Sequence, residues 1–221
     1  MEPVVIADSF SVVVVGRMNP AIHHPLWYQH NKLLEAPEVE HALTNEMMCA
    51  PAFAGFNTPT LSITCDNERW EVATPHEEHV RRLQEIAGRT FDTLTHTPIT
   101  AFGFNFRFHR ATEQPSVAAV LVSRLHPKAL GLVEDGVNLI EIATKRNDKH
   151  CVRNVRVAQS VLSPVHVFVA VNAHYRVDQS LIGEPGHFEL IPLLERFFSD
   201  DYDVAKEQVT NTMQALSKGG T

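Results

Sequence analysis

The chain has 221 residues, of which 44% are hydrophobic and 20% are charged, and its formal net charge at pH 7 is -7. This apolar content excludes a disordered chain, and the acidic balance argues against a uniformly basic nucleic-acid binder without excluding a local basic patch. The length suits one globular unit, or two small halves that share a core.

The N-terminal segment and the cysteines indicate a compartment. The first 18 residues lack the basic start and the small-residue cleavage site of a signal peptide, and no window reaches the roughly 20 apolar residues of a membrane-spanning helix. Cys49, Cys65 and Cys151 form no CxxC pair, so neither a disulfide framework nor a zinc knuckle is indicated. We expect a cytoplasmic protein without membrane contact, whose three thiols are buried.

Residues 1–74 begin with a strand and continue into loop-rich chain. Residues 10–18 contain four consecutive valines, which is typical of a strand covered on both faces. Residues 20–60 hold many loop signals and four aromatic residues, whose burial the sequence does not decide. Residues 61–72 have the pattern of a hairpin that turns at 66–68. The four aromatic residues are Trp27, Tyr28, Phe53 and Phe56.

The strongest helix signal follows. Three start signals and apolar residues at helical spacing predict a helix over residues 75–94. The start signals are Thr74 as N-cap, Pro75 at the first helical position and Glu77 in a capping box. Residues 98–109 then alternate phenylalanine with polar residues, which predicts an amphipathic strand.

The second half alternates β patterns before it ends in helices. We predict strands over 117–125 and 165–177, and a hairpin of 137–144 with 152–161. Apolar spacing predicts two terminal helices, the second of which begins at Ser199 or Asp200 as its N-cap.

These elements indicate an α+β fold, with about eight mostly antiparallel strands in two β-rich halves. The halves are 1–110, with the packed helix 75–94, and 111–221, which ends in the helical pair; we expect one compact unit. Pro98 and Phe102 recur as Pro164 and Phe168 at the same spacing, which either a duplication or chance would explain.

No strong catalytic or cofactor signature is present. The sequence lacks GxGxxG, GxxxxGK[ST], GxSxG and HExxH motifs, and His76 and His79 are three residues apart rather than the four of a zinc protease. His23, His24, His30 and His41 cluster in a segment that reads as irregular loop, which favours surface or hydrogen-bonded histidines over a metal site. We assign no catalytic residue, metal or cofactor.

Two features remain as candidate binding surfaces. The polar faces of the two long strands offer amide, imidazole and guanidinium donors without a carboxylate, which suits a phosphate- or carboxylate-bearing ligand; a solvated sheet face is the alternative. The candidate ligand residues are Asn105, Arg107, His109, Asn172, His174 and Arg176.

The second surface is a basic hairpin over 145–156, with five basic residues and one acidic residue. It would contact an acidic partner or a phosphate backbone, or it would only prevent edge-to-edge aggregation. The candidate contacts are Lys145, Arg146, Lys149, Arg153 and Arg156.

The leading functional interpretation is a non-enzymatic binding or assembly module that works through protein–protein contacts, with a protein partner or a homo-oligomer. The alternative is an enzyme or sensor that binds a small anionic ligand on the strand faces. A weaker alternative is nucleic-acid contact through the basic hairpin. Convergence of the arginines and histidines in a concave site would favour the ligand, whereas an exposed aromatic patch would favour assembly.

Overall fold

A computed structural model describes residues 8–124, 141–147, 151–177 and 190–217, with backbone alone at 122–124 and 141–147. The α+β class expected from the sequence is confirmed. The elements, in chain order, are β1 (Ser9–Gly16), α1 (Pro25–His30), α2 (Ala36–Thr44), β2 (Met48–Ala50), β3 (Phe53–Asn57), β4 (Ser62–Asp66), β5 (Arg69–Thr74), α3 (Val80–Thr93), β6 (Ile99–Ala111), α4 (Val117–Arg124), β7 (Glu141–Asn147), β8 (Cys151–Gln159), β9 (His166–Arg176) and α5 (Leu190–Ser217).

One antiparallel sheet of nine strands organises these elements, in the order β2-β3-β4-β5-β1-β6-β9-β8-β7. β1 lies in the middle, between β5 and β6. β6 and β9 pair along their length, from Ala101 opposite Arg176 to Ala111 opposite His166. The strands of the two sequence halves therefore belong to a single sheet.

The sheet has an apolar face and a polar face, because successive side chains of a strand point to opposite sides. On β6 the alternate residues Phe102, Phe104, Phe106 and Phe108 are at most 1% exposed. α3 and α5 pack on this apolar face and on each other, and α4 packs on its β8 side. The opposite face, which we call the open face, carries none of the described helices.

The long helix of the first half is confirmed, although it begins later than the capping pattern predicts. A 3-10 turn over Glu77–His79 precedes α3, which starts at Val80. Thr74 does not cap it, because Thr74 is the last residue of β5 and its Oγ1 donates to the carbonyl of Thr60 at 2.7 Å. Glu77 instead accepts a hydrogen bond from the hydroxyl of Tyr202 on α5 at 2.6 Å.

Residues 117–124 form helix α4, which corrects the predicted strand over 117–125. The β-branched content favoured a strand, but Val117 and Leu121 lie one helical turn apart and both are buried against β8 and β9. Ser116 assists the start of the helix, since its Oγ accepts from the amide of Ala119 at 3.3 Å.

The predicted pair of C-terminal helices is one continuous helix, α5. Ser199 and Asp200 lie inside it and are exposed, so neither is an N-cap. The next residue, Asp201, is fully buried and has partners on the sheet. Asp201 therefore makes a tertiary contact with the sheet, and local capping signals in the sequence do not predict such a contact.

Both predicted hairpins are present. Asp66 closes the β4–β5 turn by accepting from the amides of Glu68 and Arg69, each at 2.8 Å. β7 and β8 pair from Glu141 opposite Ala158 to Asn147 opposite Val152; residues 137–140 of the predicted strand lie outside the described residues.

Candidate functional site

The open face brings most of the candidate ligand residues together. β6 and β9 are neighbours in a register that sets Asn105 opposite Asn172, Arg107 opposite Ala170 and His109 opposite Phe168. β8 lies on the far side of β9 and sets Asn154 opposite Asn172 and Arg156 opposite Ala170. Because all these residues occupy alternate positions of the same pleat, their side chains share the open face.

Three asparagines and a serine form a hydrogen-bonded row across four strands, which we call the amide row. Asn154 Nδ2 donates to Asn172 Oδ1 at 3.3 Å, and Asn172 Nδ2 donates to Asn105 Oδ1 at 2.7 Å. Asn105 Nδ2 then donates to Ser11 Oγ on β1 at 3.0 Å. All three amides donate in the same direction. The row therefore fixes the amide orientations and leaves each amide with further hydrogen-bonding capacity toward solvent.

Two arginines flank the short side chain of Ala170 in the next row. Arg107 on β6 and Arg156 on β8 are both exposed, and their Cα atoms are about 10 Å apart because two strand spacings separate them. With the three asparagines of the amide row they line an open concavity of about 600 Å³. This spacing allows two long side chains to approach one ligand from opposite sides.

Phe168 and His109 form the other end of the concavity. The two rings lie 5.0 Å apart between centroids, and the guanidinium of Arg156 lies 5.6 Å from the Phe168 centroid. His109 Nδ1 is 2.8 Å from Ser160 Oγ. Partial burial lowers the pKa of His109 below its ordinary value, with His166 and Arg110 acting in the same direction and Asp8 opposing them. At neutral pH the imidazole is therefore uncharged, and the arginines supply the positive charge.

No carboxylate lines the concavity among the described residues. The carboxylate of Asp8 accepts from the amide of His109 at 2.8 Å and from Arg110 Nη1 at 2.6 Å. The Asp8 carboxylate is thus committed to Arg110.

His174 and Arg176 share the open face but lie outside the concavity. His174 stands opposite Gly103, beyond the amide row. Burial lowers the pKa of His174, and the nearby charge of Arg176 lowers it further. These two candidate residues therefore belong to the same face but to a different part of it.

The basic hairpin is divided between the two faces of the sheet. Arg156 joins the concavity, whereas Arg153 occupies the apolar face and pairs with Asp201 of α5. The backbones of Lys145 and Arg146 stand opposite Asn154 and Arg153, and Lys149 lies outside the described residues. Since Arg153 is committed to a buried carboxylate, it does not form one exposed cationic surface with Arg156.

Asp201 joins α5 to the sheet. Its Oδ2 accepts from the hydroxyl of Tyr175 on β9 at 2.6 Å, while Oδ1 accepts from Arg153 Nη2. Burial raises the pKa of Tyr175 above its ordinary value, and the hydrogen bond to Asp201 acts in the same direction. This cluster is enclosed, so its evident role is to hold α5 against β8 and β9.

The aromatic residues of the loop-rich segment are mostly internal. Tyr28 and Phe56 are buried, Trp27 is half-buried and Phe53 is 38% exposed. The predicted burial of all three thiols needs one correction, because Cys49 is exposed on the edge strand β2. These four aromatic residues therefore do not form an exposed aromatic patch.

The histidines of this segment have local roles. His24 caps α1 by accepting from the amide of Leu26 at 3.2 Å, and His23 is buried with its Nδ1 2.7 Å from the hydroxyl of Tyr28. Within the described ranges, no group of three or more His, Cys, Asp or Glu side chains is arranged to hold a metal ion. Nor is any described helix both long enough and apolar enough to cross a membrane.

Sequence reasoning missed eight residues that line the concavity: Ser9, Asn154, Ala158, Gln159, Val161, Phe168, Ala170 and Val171. The alternation over 165–177 places Phe168 and Ala170 on the same face as Asn172, but neither carries a polar group, so neither was among the candidate ligand residues. Asn154 and Gln159 become neighbours only through the β8–β9 pairing, for which the sequence offers no local signal.

Comparisons with known proteins do not place the chain in a family. No protein-family model matches it, and no curated protein matches it. Its functional interpretation therefore depends on the geometry of its own residues.

Proposed function

We propose that the protein is a binding module that takes an anionic group, a phosphate or a carboxylate, into the concavity of the open face. The observation that carries this proposal is the pair of exposed arginines, Arg107 and Arg156, which flank Ala170 beside the amide row.

The chemistry of the lining supports an anion. Each guanidinium donates in a planar fork that matches two oxygens of a carboxylate or phosphate. The amide of Asn172 stands one row away and has a second N–H to donate. Ala170 leaves space between the arginines, where a bulkier residue would fill the centre of the concavity.

Isothermal titration with inorganic phosphate and pyrophosphate tests this proposal. Arg107→Gln and Arg156→Gln should each weaken binding at least about tenfold, because a hydrogen bond to a charged group contributes about 1.5–3 kcal/mol. Arg69→Gln is the matched control: Arg69 is exposed on the open face at β5, is paired with Glu71 and lies outside the concavity. It should change the affinity less than twofold.

Two results would contradict the proposal. One is the absence of measurable binding at millimolar phosphate and pyrophosphate. The other is an equal loss in Arg69→Gln, which would mean that the whole face, rather than the concavity, attracts anions.

A protein partner is the second candidate occupant, and the exposed turn beside the concavity favours it. Val161 is 76% exposed and lines the concavity, and Leu162 is 39% exposed. A partner that sets an acidic side chain between the arginines would also cover these apolar side chains. Native mass spectrometry of the protein from its host, with Val161→Ser/Leu162→Ser as the comparison, tests this: retention of the same partner by the variant would exclude the turn from the interface.

Nucleic-acid contact through the basic hairpin stays a prediction. A salt-dependent binding assay with charge reversal at Arg146 and Lys149 decides it, since each lost phosphate contact reduces the salt dependence. Unchanged binding in the reversed variant would exclude the hairpin.

A further inference from the structure

A second cavity, separate from the open-face concavity, lies where the chain after β1 meets the end of α3. Its volume is about 330 Å³, roughly that of ten water molecules in the liquid. The chain segments around it are tied together, since the amide of Arg17 donates to the carbonyl of Pro98 at 3.0 Å and that of Thr97 to Leu94 at 2.9 Å. Its polar lining residues include Arg17, Asn19, His23, Thr95, His96 and Thr97.

His23 is the buried polar residue of this cavity, and it is only 2% exposed. Its Nδ1 lies 2.7 Å from the hydroxyl oxygen of Tyr28, and that oxygen also lies 2.9 Å from Trp70 Nε1. An indole N–H can only donate, so Trp70 donates to Tyr28. The Tyr28 proton must then have an acceptor of its own.

His23 Nδ1 is that acceptor. The other neighbour of the Tyr28 hydroxyl, Thr90 Oγ1, is buried and has no hydrogen-bond partner among the described residues. Tyr28 therefore donates to Nδ1, which fixes the tautomer of His23 with its proton on Nε2. Burial also lowers the pKa of His23 to about 4, so that the ring is neutral near pH 7.

The Nε2–H group is left without a partner among the described residues. Nε2 is not among the fully buried polar atoms that lack a partner, so it is reached from the cavity that the ring of His23 lines. Arg17 adds a permanent positive charge at the same cavity, and none of its described lining residues is acidic. The cavity thus combines one accessible neutral donor with one guanidinium.

We propose that this cavity binds a small carboxylate, one of whose oxygens accepts from His23 Nε2–H while the carboxylate pairs with the guanidinium of Arg17. A carboxylate fits this set because it is a monoanion with two oxygens that accept in one plane. The volume admits acetate and somewhat larger acids.

Nitrogen NMR of the protein labelled with ¹⁵N-histidine tests the proposal directly. His23→Gln assigns the His23 signals by their loss. Without ligand, Nε2 should carry the proton and Nδ1 should not; the opposite tautomer would overturn the donor argument. Titration with acetate should shift the Nε2–H signal with saturation in the millimolar range, and an unmoved signal would refute the site.

Arg17→Gln is the decisive variant, because Arg17 is exposed and its loss should not disturb folding. It should weaken the acetate effect on His23 at least fivefold. Arg107→Gln, in the open-face concavity, is the matched control and should leave that effect unchanged. The assignment is refuted if Arg17→Gln binds acetate as the unaltered protein does, or if Arg107→Gln loses the acetate effect on His23 instead. This test does not require that His23→Gln folds.

Phosphate titrated in the same way should bind more weakly than acetate. Tighter binding of phosphate would overturn the choice of a carboxylate.

Discussion

Replacement of Asp201 by asparagine tests how α5 is held on the sheet. Asp201 is fully buried and accepts from both Tyr175 and Arg153. Asparagine keeps the size of the side chain, but its amide nitrogen must face one of these two donors. Moreover, the guanidinium of Arg153, whose side chain is only 18% exposed, loses the negative charge of Asp201.

The expected loss is about 3 kcal/mol in the free energy of unfolding, at the lower end of the range for breaking a buried ion pair because Arg153 retains some contact with water. For a domain of this size, that loss corresponds to a fall of about 6 to 12 °C in the melting temperature. Urea unfolding followed by circular dichroism, together with a thermal scan, measures both quantities.

Asp203→Asn is the matched control, since Asp203 is exposed two residues further along α5. It should change the stability by less than about 0.5 kcal/mol, as surface substitutions usually do. The double variant Arg153→Met/Asp201→Asn should be more stable than Asp201→Asn alone, because it also removes the largely buried cation that no longer faces the Asp201 carboxylate. Wild-type stability in Asp201→Asn, or further destabilisation in the double variant, would refute this account of the cluster.

Two further predictions concern stability. The pKa of His23 is lowered to about 4 in the folded protein, so the unfolded chain takes up a proton first as the pH falls below about 6.5, and folding loses about 3 kcal/mol by pH 4. Urea unfolding over this pH range should show a smaller decline in His23→Gln; an identical decline would contradict the burial of a neutral ring. A Cβ on Gly103 would lie 2.6 Å from the backbone oxygen of Ala173, whereas one on Gly88 would meet only the side chain of Ile191, at 2.8 Å. Gly103→Ala should therefore destabilise by about 1–3 kcal/mol and Gly88→Ala by less, because a side chain can shift and alanine favours the helix; the reverse order in urea unfolding would contradict this comparison.

The strand patterns predicted much of the fold because a strand that is buried on one face alternates apolar and polar residues in the sequence. Phe102 to Phe108 on β6 identified both the apolar face and the polar residues opposite it, and Asn105, Arg107 and His109 are on that polar face. A period of two residues is visible in the sequence itself. No partner strand is needed to recognise it.

The remaining features depend on contacts between distant residues. Val117 and Leu121 are compatible with a strand or a helix, and burial against Val157 and Val167 accompanies the helix. The site likewise needed the β8–β9 register to bring Asn154 beside Asn172. Local patterns specify the conformation of a segment, whereas these pairings are properties of the assembled sheet.

The central position of β1 has a consequence for how the chain folds. β1 is the first described strand, yet Val12 pairs with Val72 on one side and with Phe104 on the other. During synthesis this valine-rich segment emerges long before either partner, and its neighbour β6 gains β9 only later still. Pairings between such distant residues make folding slow, because long loops must close before the contacts form. Among the described strands, the valine-rich β1 therefore waits longest for its second partner and needs protection from other chains until then.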